Sequence, residues 1–151
     1  MPPHSPRILL ADEDPGVRRT LALVLTWAGY RVSTAEHTVD AILLLQKIVP
    51  DLIIFDLDLD HVPGYDFLSM VRRRLPQVSV IATTISTTTA DACAQDGLLA
   101  DAIYVKGLSR TETLLESVAS LLRTSGSRAL EHQNGDLRTS IPKLKIMRAG
   151  R

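Results

Sequence analysis

The chain is short of cysteine, of net charge and of long apolar runs, and each shortage excludes a class of protein. Cys93 is the single cysteine among 151 residues, so no disulfide can form within the chain. Its small neighbours, Ala92 and Ala94, suit a half-buried packing residue better than a redox or catalytic thiol. Lys and Arg number 17, as do Asp and Glu, so no global field draws the molecule to nucleic acid or to a membrane surface. No apolar run approaches the roughly 20 residues that span a bilayer. The opening Met1-Pro2-Pro3-His4-Ser5-Pro6-Arg7 lacks the apolar core of a secretion signal. The expected location is cytoplasmic, and neither an internal repeat nor a low-complexity tract is present.

What the chain does have is alternation. Apolar runs at Ile8–Ala11, Tyr30–Thr34, Asp51–Asp56, Val78–Thr83 and Asp101–Val105 read as strands. Segments with helical spacing lie between them. Asp14-Pro15 is a helix cap followed by a proline at the first helical position, and Gly29 suits a C′ residue. Further helices are expected at Val39–Val49, from Gly64 to Leu75, weakly from about Thr88 to Gly97, and after Ser109, which with Glu112 fits a capping box. Strands joined by helices of this length imply right-handed crossovers and a parallel α/β sheet with helices on both faces. With 45% hydrophobic residues the chain can bury one core without staples. Beyond Arg123 the pattern fades into Thr124-Ser125-Gly126-Ser127, which is linker-like. Residues 1–123 are expected to form the domain, and 124–151 a flexible or loosely docked tail. The body holds 11 Lys/Arg against 15 Asp/Glu, whereas the tail holds 6 against 2.

Chemistry concentrates where the strands end. Asp12 and Glu13, Asp56, Thr84 and Lys106 each follow an apolar run. Ligands of open parallel sheets bind beyond the carboxyl ends of the strands. Three carboxylates, a hydroxyl and an ammonium brought together there suit Mg²⁺ and a phosphoryl group. Carboxylates in one cleft repel one another unless a cation intervenes. Asp56 ends the most apolar strand and is the expected carboxylate nucleophile toward phosphorus. Thr84 can donate to a phosphoryl oxygen, and Lys106 can pair with its charge.

These residues carry a resemblance. Over residues 6–123 the chain resembles the receiver domain of two-component response regulators, in the stand-alone form of chemotaxis regulators. Ile8-Leu9-Leu10-Ala11-Asp12-Glu13-Asp14-Pro15 is similar to the family's first strand and acidic pair. Asp51-Leu52-Ile53-Ile54-Phe55-Asp56 is similar to its phosphoacceptor strand, with Gly64 eight residues later and Thr84 and Lys106 22 apart. The resemblance implies a doubly wound, flavodoxin-like sheet of five strands in the order 2-1-3-4-5, with five helices on two faces. It implies that Asp56 accepts a phosphoryl group from a histidine kinase or phosphotransfer protein. Asp12, Glu13, Asp56 and the backbone carbonyl of Asp58 would hold Mg²⁺. Thr84 and Lys106 would read the phosphoryl group and shift the face built from the fourth helix, fifth strand and fifth helix. That face would serve an output protein or a homodimer. With no further module expected in the tail, the chain reads as a signalling switch rather than an enzyme, touching neither nucleic acid nor membrane directly.

Some positions depart from the family. Gly107 stands where a proline usually follows the lysine, and Ile103 where an aromatic switch residue often stands. Tyr104 is adjacent but on the opposite side of the strand. Asp60 replaces a common proline, and Asp58 adds a carboxylate two residues after the acceptor. These changes leave open a degenerate receiver that binds partners without phosphorylation. A phosphatase of the haloacid-dehalogenase type is a further alternative, because Phe55-Asp56-Leu57-Asp58 resembles its nucleophile motif. That family needs an acidic motif after the lysine, and none is evident. Asp51, Asp60 and Asp66 read as solvated, Arg72-Arg73-Arg74 as a solvated helix face, and Trp27 as packing. His37 and His61 lack metal-ligand spacing.

Overall fold

The computed structural model describes residues 4–61, 64–95, 99–133 and 145–147. Pro63, Gly97, Lys143, Arg148 and Arg151 lie outside them. The strands are β1 (Arg7–Ala11), β2 (Arg31–Ala35), β3 (Leu52–Asp56), β4 (Ser79–Thr84), β5 (Ala102–Val105) and β6 (Lys145–Met147). The helices are α1 (Pro15–Trp27), α2 (Thr38–Lys47), α3 (Tyr65–Arg74), α4 (Thr87–Gln95) and α5 (Thr111–Gln133). All strand pairs are parallel, in the order β2-β1-β3-β4-β5-β6. The expected five-stranded order is present, with a sixth strand added at the β5 edge.

The period of two along each strand divides the core into two layers. Ile8, Leu10, Leu52, Ile54, Ile81 and Tyr104 pack with Leu21 and Leu25 of α1 and Leu114 and Val118 of α5. Leu9, Ile53, Phe55, Val80 and Ile103 pack with Ala41 of α2, Phe67, Leu68 and Val71 of α3, and Ala90 and Cys93 of α4. The five residues of β3 are all buried, as a central parallel strand requires. Tyr104 and Ile103 do face opposite sides, and Cys93 is fully rather than half buried.

The first helix begins as its sequence dictates. The Asp14 carboxylate accepts from the N–H groups of Gly16 and Val17, and Pro15 opens the helix. Gly29 takes a left-handed φ of 100° just beyond it. Three expectations fail. Trp27 is 79% exposed, because Leu21 and Leu25 fill the buried stripe of α1 and Trp27 falls outside it. The fifth helix starts at Thr111, so Ser109 is not at its cap position. It then runs through the residues read as a linker. Ser125 explains part of that extension, because its hydroxyl lies 2.6 Å from that of Ser79 in β4.

The opposite, N-terminal end of the sheet is tied by acidic side chains. Asp51 accepts from the Arg7 N–H at 2.7 Å, and Asp101 from the Val80 N–H at 2.8 Å. Arg72, expected to be solvated, pairs with Asp101 at 2.9 Å and donates to the carbonyls of Leu99 and Val78. No described helix is long and apolar enough to cross a membrane.

Candidate functional site

The carboxyl ends of β1, β3, β4 and β5 deliver the expected side chains to one cleft. Asp12 follows β1 and is 1% exposed, and Asp56 closes β3 and is 2% exposed. The Lys106 ammonium, just after β5, reaches both at once, 3.0 Å from Asp12 Oδ2 and 3.1 Å from Asp56 Oδ2. Two buried carboxylates sharing one cation is the arrangement expected of like charges in low dielectric. Burial pushes the Asp56 carboxyl above the usual carboxylate range, although the Asp58 N–H and Lys106 oppose that shift. Burial also works against the charge on Lys106, but Asp56 and Asp12 outweigh it and raise its pKa.

Backbone geometry fixes these groups. Asp56 Oδ1 accepts from the Asp58 N–H at 2.9 Å, and Asp12 Oδ1 from the Asp14 N–H at 2.9 Å. Arg18, to which no sequence pattern points, donates to the Asp12 carbonyl at 2.7 Å and to the Glu13 carbonyl at 3.3 Å. It thereby holds the turn that carries both acids. The Glu13 side chain is half-buried, and among the described residues no third acidic group converges with Asp12 and Asp56.

Gly64 is needed for a close approach. A Cβ there would lie 2.7 Å from the Phe55 ring and 3.3 Å from the Leu57 backbone. The start of α3 thus rests on the segment that presents Asp56, and Phe55 stacks on Phe67 with ring centroids 4.2 Å apart. Gly107 has a φ of 81°, which proline cannot adopt, and no described peptide bond is cis. The glycine therefore specifies a different loop after Lys106 from the one a proline would give.

Thr84 reaches the cluster indirectly. It is fully buried, and its hydroxyl donates to Asp58 Oδ2 at 2.8 Å. The same oxygen accepts from the Ile85 N–H at 3.3 Å. A resident carboxylate therefore occupies the donor that the sequence assigned to a phosphoryl oxygen. Asp60 is not simply solvated either. It sits at φ 59°, bonds His37 Nδ1 at 2.8 Å and accepts from the Thr38 N–H at 2.8 Å, capping α2 from another loop. No sequence signal announces this cap, because its partners lie 22 and 23 residues apart. Beside Lys106 a groove of about 290 Å³ opens between Gly16, Val17 and Thr20 on one side and Tyr104 and Gly107 on the other.

Set beside known proteins, the chain matches the family model described as the response regulator receiver domain over residues 8–119. It is 36% identical over 92 residues to the transcriptional regulatory protein GlrR of Escherichia coli K12, covering 60% of this chain and 21% of that one. The chain therefore spans about a fifth of that relative's length. A CheY-like receiver domain protein from Methanospirillum hungatei superposes with a TM-score of 0.75 at 22% identity, over 83% of this chain and 99% of the other. The response regulator TrrA of Thermotoga maritima, solved in complex with Mg²⁺-BeF, gives 0.67 at 27% identity, over 77% and 98%. Receiver domains are signalling switches, generally phosphorylated on an aspartate. With Asp12, Asp56, Thr84 and Lys106 in that order along the strand ends of one sheet, the chain belongs to the response regulator receiver domain family.

Proposed function

We propose that Asp56 accepts a phosphoryl group from a histidine kinase or phosphotransfer protein in a Mg²⁺-dependent reaction, and that the domain then signals by protein contact. The observation that carries this reading is the Lys106 ammonium shared between buried Asp12 and buried Asp56. A cation already bridges the two carboxylates that a metal would have to hold.

The donor set suits Mg²⁺. That ion takes one or two carboxylates and keeps several waters, and hard oxygens are what Asp12, Asp56 and the Asp58 carbonyl offer. Glu13, beside Asp12, would act as a further ligand on the same turn. Bound there, Mg²⁺ would offset the repulsion between the carboxylates and an incoming phosphoryl group.

The rest is the work of the chain. An Asp56 carboxylate oxygen attacks phosphorus, the bond from phosphorus to the donor's histidine nitrogen breaks, and an acyl phosphate remains. Lys106 turns from the carboxylates toward the new charge. Thr84 exchanges its bond to Asp58 for one to a phosphoryl oxygen. The groove between α1 and the loop at Gly107 lies next to Lys106 and gives the donor protein a place to approach. Ile103 and Gly107 favour the alternative of an unphosphorylated interaction module, but such a module has no need of a buried Asp12–Lys106–Asp56 cluster.

The test uses a small-molecule phosphodonor. Wild type should form an acid-stable, base-labile phosphoprotein, and chelation of Mg²⁺ or Asp56→Asn should abolish it. Phosphorylation that persists in the Asn variant would place the acceptor elsewhere.

A further inference from the structure

The two edges of the sheet differ. Strand β2 ends one side with only Ala35 buried, whereas all four residues of β5 are buried. Strand β6 runs along β5 in parallel, pairing Ala102 with Lys145, Ile103 with Ile146 and Tyr104 with Met147. It also touches α4. Helix α5 lies between β5 and β6 in the chain, so these three elements follow one another as strand, helix and parallel strand. A bare β5 would expose a row of unpaired N–H and C=O groups, which is the surface that a partner's strand uses.

We propose that the β5 edge is a docking site for an extended strand, and that the chain's own Lys145–Met147 is its resident occupant. A partner or a second copy that reads the face of α4, β5 and α5 must displace this strand first. The homodimer expected through that face has the same obstacle.

Two features make displacement feasible. Among the described residues three pair with β5, and so short a ladder opens locally at little cost. The tail's 6 Lys/Arg against 2 Asp/Glu favour the acidic body, with its 11 against 15, but exposed ion pairs add little to the hold. The position of β6 also links it to the switch. Ile103, at the centre of the pairing, lies three residues before Lys106, and the Lys106 N–H donates to the Thr84 carbonyl at 2.8 Å. Any movement of Lys106 and Thr84 is felt along β5, and displacement of β6 must bias that movement in return. This coupling rests on the phosphorylation reading; the occupancy of the edge does not.

Amide hydrogen exchange on the full chain tests both. Amides of residues 145–147 should exchange at least about tenfold more slowly than in a synthetic peptide of residues 141–151, independently of protein concentration. Ile146→Pro opposes ladder pairing and should remove that protection and speed exchange at Ala102–Tyr104. Exchange in β1 and β3 should stay unchanged, which shows that the variant is folded. The labelled peptide should bind a chain truncated after Gln133 and fail to bind the full chain. Peptide-like exchange at 145–147 in wild type would overturn the proposal. So would protection lost on dilution, since a second copy would then be donating the strand. Mg²⁺ with beryllofluoride should change exchange at 145–147 in wild type and not in Asp56→Asn. Intact protection without that response would refute the coupling while the occupancy stands.

Discussion

Asp56 and Asp60 are four residues apart, yet they meet opposite conditions. Asp56 is buried, and burial raises its pKa although a lysine touches it. The Asp60 side chain is 29% exposed; burial pushes its pKa up, but hydrogen bonds from Thr38 and His37 together outweigh that and lower it. Asp58, between them, is half-buried and holds Thr84. One short stretch of chain therefore contains a carboxylate paired with a lysine, one that holds the Thr84 hydroxyl and one that bonds the start of a helix. Environment, not residue type, assigns those roles.

The comparison breaks hardest at Lys106. Lys106→Met leaves two buried carboxylates without their cation, and a stability loss of about 3–5 kcal/mol is expected in urea unfolding at neutral pH. A loss below about 1 kcal/mol would mean that Asp12 and Asp56 are better solvated than their burial indicates. At the middle position, Asp58→Ala frees the Thr84 hydroxyl. Beryllofluoride with Mg²⁺ should then bind about tenfold more tightly, which equals the release of one hydrogen bond to a charged group. Unchanged or weaker binding would show that Asp58 does not compete for Thr84.

Asp60→Ala removes the bond to the Thr38 N–H at the start of α2 while Asp40 still accepts from the His37 N–H, and about 1 kcal/mol of stability should go with it. Phosphorylation of Asp56 should persist; its loss would put Asp60 within the acceptor machinery. The smallest effect concerns His37. Its bond to Asp60 raises its pKa, chiefly through the side-chain hydrogen bond. A histidine raised on folding stabilises below its unfolded pKa, and that contribution is lost as pH rises through the folded pKa. The stability difference between wild type and His37→Gln should therefore be greatest below about pH 6 and fade in the mildly alkaline range. In Asp60→Asn, NMR titration should return His37 toward its ordinary value.

Much of this was legible in the sequence. Short apolar runs, the Asp14-Pro15 cap and Gly29 specified the strand–helix alternation, because those signals act within a few residues. Asp12, Asp56, Thr84 and Lys106 were recognisable because a parallel sheet gathers its strand ends. The bonds among Asp58, Thr84, Asp60 and His37 were not, since they depend on how separate loops lie against one another. Strand β6 left a faint trace in Lys143-Leu144-Lys145-Ile146, which alternates with the period of a strand. A signal so short cannot be told from a solvated basic tail. Trp27 misled because a large aromatic residue is usually buried.

The ties at the N-terminal end of the sheet bear on how a signal travels. Asp51 joins β3 to β1 there, and Asp101 and Arg72 join β4, β5 and α3. Strands moored at one end cannot slide past one another as rigid rods. The carboxyl end is tied as well, by Lys106 across Asp12 and Asp56 and by the Lys106 N–H on the Thr84 carbonyl. The sheet is thus clasped at both ends, and a rearrangement of Lys106 would open one clasp while the other keeps the strands in register.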